Sequence, residues 1–275
     1  MRLAAVFVLT VAFFASACDK PPVEWSDPVE LQQASGQTRL ALDAGQPRFA
    51  ADSTHFAALP SSVGRCESGT VTAGGRSKSA AAWWSVRPDS SAVLYISVSV
   101  DTGRTWETPQ AVDTTDVSSN GCHRPPPSLA TVGDDVYVAY SMVAPEGKGV
   151  FFAHTMSGMV HSPVPVIYGD RLVAASIAAD ANHVVVAYEE PNGTREQIDV
   201  AISASQGHLF EAHAPASRSV DNANAPVIAI QDSLLAVSWL TQSPNVSSPT
   251  RMVRVGTFLD RRIPTVGEER QTEKP

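Results

Sequence analysis

Short apolar runs recur along the chain at a nearly constant spacing, in the patterns expected of buried or half-buried β-strands. The pair of runs at 128–140 aligns without gaps on the pair at 176–188, 48 residues further on. The pair at 227–239 continues the series after another 51 residues. A period of this length predicts an array of similar β-units in one all-β domain.

Each copy consists of two short strands around a polar turn, and the second strand ends on an aromatic residue. Tyr140, Tyr188 and Trp239 occupy that position in the three clear copies, and a looser copy at 69–84 ends on Trp83 and Trp84. The pattern predicts a core position for Trp84. Trp83 would point to the opposite side of its strand and pack between units or lie exposed.

Ser99, Asp101, Gly103 and Trp106 form the pattern Ser-x-Asp-x-Gly-x-x-Trp between two further strand-like runs. The Asp can accept hydrogen bonds from its own turn, the Gly can supply a positive φ, and the Trp can cover the hairpin. The pattern resembles the Asp-box of the sialidase-like (BNR-repeat) β-propellers, which joins the two outer strands of a blade. The resemblance implies a propeller and describes architecture rather than activity.

Partial copies of this motif lie where the strand repeat predicts them. The segment 203–210 keeps the Ser, Gly and aromatic positions, and 154–161 keeps the Gly and a ring. Because two independent features share one phase, we interpret the repeat as real.

The two ends of the chain suggest how the ring closes. The segment 25–31 is similar to 106–112, the Trp and outer strand of a blade, and the last inner pair is followed by one strand at 252–258. We therefore expect the N-terminal strand to complete the last blade, which removes an exposed sheet edge. Strand candidates at 39–42, 47–50 and 55–59 favour about five four-stranded blades, with four to six possible.

The N-terminus has the features of a targeting segment. Arg2 precedes an apolar run that is too short to span a bilayer and ends in Ala15-Ser16-Ala17-Cys18, which resembles a bacterial lipobox. The prediction is a signal peptide at 1–17, lipid on Cys18, a tether at 18–24, the propeller at 25–262 and a disordered tail at 263–275. A signal-peptidase site of the Ala-x-Ala type is the alternative, and the sequence leaves inner or outer membrane open.

Charge and cysteine content narrow the possibilities. The formal net charge of −8 argues against nucleic acid as a partner. With Cys18 lipidated, Cys66 and Cys122 remain as a pair in an oxidising compartment, which predicts a disulfide. A metal or redox site with His123 is the alternative, but no ligand spacing supports it. We predict no metal and no cofactor.

In propellers, ligands usually bind on the loops that lead into the innermost strands. The repeat places Arg65, Arg124, Arg171 and Asn222 at matching positions in four such loops. The residues beside them complete the predicted ligand-binding set: Glu67, His123, Asp170 and Asn224. Converging guanidinium groups would bind a carboxylate or sulfate, whereas ordinary pairing with neighbouring acids is the competing interpretation.

The resemblance to sialidases does not extend to a catalytic set. Arg262-Ile263-Pro264, the one Arg-Ile-Pro sequence, lies at the wrong end, and no acid is identifiable by spacing as the base for Tyr168. We therefore predict a lipid-anchored, periplasm-facing, non-catalytic module that binds another envelope protein or an anionic glycan. A sialidase-like glycoside hydrolase acting on acidic sugars is the alternative.

Overall fold

The computed structural model describes residues 21–51, 65–66, 71–74, 78–156, 158–241 and 248–259, which contain strands and connecting turns. The strands are β1 Val23–Trp25, β2 Val29–Glu30, β3 Gln37–Asp43, β4 Gln46–Ala51, β5 Val71–Gly74, β6 Ser79–Val86, β7 Ala92–Ser99, β8 Gln110–Asp113, β9 Ser128–Val132, β10 Asp135–Ala144, β11 Gly147–Met156, β12 Met159–Val160, β13 Val164–Gly169, β14 Ala175–Ala179, β15 Val184–Asn192, β16 Arg195–Ser203, β17 Ala212–Pro215, β18 Ala223–Gln231, β19 Leu234–Thr241 and β20 Thr250–Phe258.

These strands form five antiparallel sheets, which confirms the predicted all-β propeller. Blade 1 is the hairpin β3–β4, blade 2 is β5–β8, blade 3 is β9–β13 and blade 4 is β14–β17. Blade 5 joins β18–β20 to β1 and β2. The described part of blade 1 has two strands where four were predicted, and the third strand candidate, 55–59, lies outside the described residues.

The innermost strands surround a central channel. Strand β9 lies between β5 and β14, β14 also contacts β18, and β18 contacts β3. Small side chains such as Ala73, Ala130, Ala178 and Ala229 line this channel and let the strands approach one another. The repeat in the sequence therefore corresponds to successive positions around a ring.

The hydrophobic core lies between neighbouring blades rather than at a single centre. The aromatic residues that end the repeats are all buried: Trp84 and Tyr140 share the cluster between blades 2 and 3, Tyr188 packs between blades 3 and 4, and Trp239 between blades 4 and 5. Trp83 is also fully buried and stacks on Tyr95. Of the two placements that the sequence left open for Trp83, packing or exposure, the structure shows packing.

The turns divide into two faces. The loop face carries the segments that lead into innermost strands (114–127, 170–174 and 216–222) and the hairpin tip at 145–146; the box face carries the outer hairpins at 100–109, 158–163 and 204–211. On the loop face, Gly121 N donates to Ser90 O at 2.9 Å. On the box face, Lys78 Nζ lies 3.5 Å from Asp134 Oδ1. Contacts between blades thus hold each face together.

The N-terminal strand closes the ring as predicted. β1 pairs with β20 in the register Val23 to Phe258, and β2 pairs with the same strand. Arg254 strengthens this closure, because its Nε donates to Ser26 O at 2.5 Å and its guanidinium lies over the Trp25 ring. The first strand begins at Val23, two residues before the predicted start of the propeller.

The Asp-box hairpin follows β7 and has the hydrogen bonds that its motif predicts. Ser99 Oγ accepts from Gly103 N at 2.7 Å, and Asp101 Oδ1 accepts from Thr105 N at 2.8 Å. Gly103 has φ +83°, and Trp106 is half-buried. The bonds from Thr105 and Ser99 lower the pKa of Asp101 to about 2, so this carboxylate stays ionised through the physiological range.

The predicted disulfide is confirmed: Cys66 and Cys122 are bonded, with their Cα atoms 5.6 Å apart. It joins segments before β5 and before β9, 56 positions apart in sequence, so it can contribute up to about 4 kcal/mol in the chain-entropy model. The predicted signal peptide, Cys18, Glu67 and the tail at 263–275 lie outside the described residues.

Candidate functional site

The loop before β9 is anchored to the propeller by buried polar contacts. Tyr140 Oη donates to Asp113 Oδ2 at 2.7 Å at the start of the loop, and Trp84 Nε1 donates to Pro125 O at 3.1 Å near its end. Burial, together with Asp113, raises the pKa of Tyr140 well above its usual value, so the tyrosine remains a hydrogen-bond donor. The disulfide at Cys122 adds a covalent attachment.

Arg124 provides the central contact of this loop and corrects the predicted role of that residue. Its guanidinium is 1% exposed, forms a salt bridge with the fully buried Asp116, and donates to Gly121 O at 2.7 Å and Ser118 Oγ at 3.1 Å. Asp116 also accepts from Ala92 N of β7 at 2.8 Å. Arg124 therefore holds the loop in place rather than offering free donors to a ligand.

Arg171 and Lys148 face this loop from the adjoining segments of blades 3 and 4. The guanidinium of Arg171 donates to Glu196 Oε2, and this bond raises the pKa of Arg171. Lys148 Nζ donates to Asp170 O at 3.1 Å. Both side chains are exposed, so they keep donor capacity for an external group.

Between these parts lies a groove of about 680 Å³ on the loop face. None of the described lining residues is Asp or Glu; the exposed cations are Lys148 and Arg171, and the third, Arg124, is buried in its pair with Asp116. The lining consists of Val117, Ser118, Ser119, Asn120, His123, Arg124, Pro125, Val143, Lys148, Arg171 and Leu172. The groove thus combines positive charge with hydroxyl and amide groups, a set suited to an anionic, hydroxylated ligand.

The structure brings His123, Arg124 and Arg171 together at the groove, with Asp170 beside them. The other described members of the predicted set lie elsewhere. Arg65 forms a β-bridge with Ser85, Asn222 Oδ1 accepts from Glu196 N, and Asn224 pairs with Leu240. The predicted ring of converging arginines is therefore replaced by a groove centred on blade 3.

Sequence reasoning missed Lys148 because it considered only the loops that lead into innermost strands. Lys148 is the second residue of β11, just after the hairpin tip at 145–146, and this tip projects from the same face as those loops. The alternation of strand direction within a blade would have placed it there.

Tyr168, the one tyrosine considered for catalysis, lies beside a small depression of about 20 Å³. Glu189, Glu190 and Asp170 share this depression, and burial with three nearby carboxylates raises the pKa of Glu190. A sugar ring needs several times this volume. The described residues around Tyr168 therefore form an acidic corner without a cavity of that size.

The central channel is a separate cavity of about 640 Å³. Arg39 and Arg48 of blade 1 line it, opposite the small side chains of the other blades. Arg48 Nε is 3.1 Å from Asp43 Oδ2, so one of the two arginines has an acidic partner.

A cluster of three histidines lies on the box face between blades 3 and 4. The rings of His154 and His161 are parallel with centroids 4.9 Å apart, and His208 meets His154 edge-on at 5.1 Å. Burial and the two neighbouring histidines lower the pKa of His154. In the described ranges no group of three His, Cys, Asp or Glu residues is arranged to hold a metal ion.

Comparison with solved structures finds enzymes of this general shape. This chain is similar to the phage phi92 endosialidase (8% identity, TM-score 0.46, 72% of this chain and 36% of that one) and to a Trypanosoma rangeli sialidase (12%, 0.45, 82% and 42%). It is also similar to a xylan β-1,4-xylosidase from Bacillus halodurans C-125 (12%, 0.42, 86% and 52%). The chain spans between about a third and about half of these structures.

No family model and no curated protein sequence matches the chain. Its class follows from its own architecture: a ring of five antiparallel sheets that is closed by the N-terminal strand is a β-propeller, and one of its outer hairpins has the hydrogen bonds of an Asp-box. The described part of the chain has no helix with the length and apolar character needed to cross a bilayer.

Proposed function

We propose that this protein is a lipid-anchored, periplasm-facing propeller that binds an anionic glycan in its loop-face groove without cleaving it. The observation that carries the proposal is the groove itself: about 680 Å³ in volume, with Lys148 and Arg171 exposed and no acid among its described lining residues. A protein with a net charge of −8 has to concentrate positive charge locally in order to attract an anion.

The anchored loop supports a binding role. Ser118, Ser119, Asn120 and His123 belong to a segment held by the Asp116–Arg124 pair, the disulfide and the contact from Trp84. A loop ordered in advance loses little conformational entropy when a ligand binds, so more of the contact energy becomes affinity.

The hydrolase alternative has no comparable support in the described residues. Tyr168 and its acidic neighbours enclose only about 20 Å³. Retaining hydrolysis needs two catalytic groups on either side of a bound sugar, which this corner does not accommodate.

Docking of an envelope protein is a second candidate, favoured by exposed apolar side chains on the same face. Val117 and Val220 are 61% and 63% exposed there. Side chains of this kind are common at protein contacts when they form a continuous patch. Pull-down from solubilised envelope with wild-type protein and a Val117→Asp variant would identify such a partner.

The glycan proposal is tested by titrating the full chain with oligogalacturonate and oligosialate, with neutral malto-oligosaccharides as reference ligands. Lys148→Gln and Arg171→Gln should each weaken binding of an acidic glycan about fivefold, the effect of roughly 1 kcal/mol for a partly exposed charge contact. Arg104→Gln, an exposed arginine on the box face, is the matched control and should have no effect.

Two results would overturn the proposal. One is the same affinity for acidic and neutral glycans in the wild-type protein. The other is preferential binding of acidic glycans that Lys148→Gln and Arg171→Gln both leave unchanged. Release of reducing ends during the titration would favour the hydrolase instead.

A further inference from the structure

The described chain begins at one corner of the propeller. Val23 pairs with Phe258 at the box-face end of β20, and Leu259 N donates to Pro22 O at 3.0 Å. The ring of His183, from a box-face turn of blade 4, stacks on Phe258 with centroids 4.0 Å apart. Because β1 is the outermost strand of its sheet, the chain leaves the propeller at the outer edge of blade 5, on the box face.

The candidate groove lies at the opposite corner. It sits on the loop face, against the β10–β11 hairpin of blade 3, two positions around the ring from blade 5. Strand β10 has 10 residues and at about 3.3 Å per residue separates the two faces by about 33 Å. The groove and the first strand thus differ both in face and in side of the ring.

The short connection to Cys18 limits how the molecule can sit on a membrane. Residues 19–22 separate Cys18 from Val23, and five Cα-to-Cα steps reach at most about 18 Å. This reach is little more than half the length of β10. Either the box face or the outer edge of blade 5 then lies nearest the bilayer. In both cases the groove is on the side of the protein that faces away from the membrane.

Charge on the box face adds a second constraint. Among the residues that the structure describes near its turns, acidic side chains outnumber basic ones: Asp43, Asp101, Glu107, Asp134, Asp135, Asp180, Glu211 and Asp232, against Arg48, Lys78 and Arg104. Such a surface is repelled by anionic lipid within a Debye length, about 8 Å at physiological salt. The described part of the box face therefore offers no basic patch to anionic lipid, and attachment there would depend on the anchor.

We infer that the anchored propeller turns its box-face corner at blade 5 toward the bilayer and opens its groove away from it, toward polymers of the cell wall. The inference rests on the lipid anchor of the proposed function and narrows its ligand. An acidic glycan that extends toward the protein from beyond the membrane surface can enter the groove. The phosphate headgroups of the membrane that holds the anchor cannot.

The orientation is tested with the lipidated full-length protein on phosphatidylethanolamine–phosphatidylglycerol vesicles that contain a fluorescent acceptor lipid. A donor dye is attached at Ser233→Cys, in the box-face turn of blade 5, or at Glu146→Cys, at the loop-face tip of blade 3; both positions are exposed. Energy transfer should be several times more efficient from position 233. Equal or reversed efficiencies would overturn the inference.

Two controls separate failure of the orientation from failure of the anchor. Cys18→Ala should abolish labelling by palmitate and sedimentation with vesicles. If the variant still sediments, or if the wild-type protein takes up no palmitate, the proposed lipid anchor on Cys18 is wrong. Insertion of about 20 Gly/Ser residues after residue 20 should reduce the difference between positions 233 and 146, because a long flexible tether no longer fixes the near corner. An unchanged difference would show that something other than tether length orients the protein.

Discussion

In two of the outer hairpins, a serine hydroxyl fixes the turn by accepting a backbone hydrogen bond. Ser99 Oγ accepts from Gly103 N at 2.7 Å, and Ser203 Oγ accepts from Gly207 N at 2.9 Å, four residues on in each case. In the second hairpin Ser205 occupies the position of Asp101 and accepts from Leu209 N at 3.1 Å. The Ser and Gly positions therefore preserve the turn where the Asp has been lost, which is why the partial motif was recognisable in the sequence.

His154 illustrates a side chain whose environment sets its response to pH. It is 6% exposed, and its Nε2 is buried without a hydrogen-bond partner in the described structure. His161 and His208 lie against its ring, and Asp135 is the nearby acid that opposes their effect on its pKa. Protonating His154 would place a charge at a buried site that is packed against two other imidazole rings.

The stability of the protein should consequently decrease as pH falls below about 6.5, the pKa of an unfolded histidine. The pKa of His154 in the folded protein is lowered. The neutral His154 therefore makes its full contribution to the free energy of unfolding above the unfolded pKa, and this contribution is lost as pH falls through the folded pKa. The loss is at most about 1.4 kcal/mol per pH unit for one proton. Urea unfolding at pH 7.5 and pH 5.0 should show a smaller difference for His154→Phe than for wild type.

His123→Gln is the control for this comparison, because His123 is exposed and lies on the loop face. Its unfolding free energy should change with pH as the wild-type value does. A His154→Phe variant with the full wild-type pH dependence would contradict the assignment to the cluster.

At the level of elements, the outer hairpin of blade 4 packs on a strand of blade 3 through a glycine. Gly207 has φ +87°, and a Cβ at this position would lie 2.1 Å from Cε1 of Phe152 in β11. Gly158, in the equivalent hairpin of blade 3, has φ +79° and no atom within 4 Å of its Cβ position. Both glycines adopt a positive φ, but only Gly207 is packed against a neighbouring side chain.

Gly207→Ala should therefore destabilise the protein more than Gly158→Ala. Both substitutions put an L-residue at positive φ, which costs about 1–2 kcal/mol. The clash with Phe152 should add about 1–3 kcal/mol at Gly207 alone. Urea denaturation midpoints measure the difference, and equal losses would mean that the hairpin moves away from blade 3 without cost.

The inner strand pairs were the most predictable elements, whereas the candidate site was predictable only in part. The repeat placed Trp84, Tyr140 and Tyr188 in the core because alternation and an aromatic end are local properties of a strand. The sequence left the role of Arg124 open between ligand binding and ordinary pairing, because its partner, Asp116, lies eight residues earlier in an irregular loop. The burial of this ion pair depends on contacts from β7 and from blade 3, and the sequence of the loop alone does not reveal these contacts.

For the whole molecule, the sequence predicted the ring and its closure but not the content of blade 1. Similarity between 25–31 and 106–112 identified the closing strand, and the pairing of β1 and β2 with β20 confirms it. The sequence of blade 1 shows neither the strand repeat nor the Asp-box nor the aromatic residue that ends the other repeats. The spacing of the repeat therefore could not locate the outer strands of this blade. The two strands described for it, β3 and β4, pack Leu40 and Phe49 against blade 5.

Closure of the ring depends on a glycine in the last strand. A Cβ on Gly256 would lie 2.3 Å from Val23 Cγ1 and 2.7 Å from Trp25 Cε3. Gly256→Ala should displace β1, lower the free energy of unfolding by about 1–3 kcal/mol and expose residues 21–31 to limited proteolysis. Thr257→Ala, at an exposed position of the same strand, should change neither readout. Identical cleavage of wild type and Gly256→Ala would contradict this role.

The strand that closes the ring is also the first to receive any mechanical load from the chain before it. A pull directed along β1 strains its bonds to β20 together, along with the Ser26 and Arg254 contacts. A sideways pull would instead separate the same bonds one pair after another, at lower force. If the chain is anchored through Cys18, as proposed above, tension enters from the box face and runs along β1, so the closure of the ring is loaded in its more resistant direction.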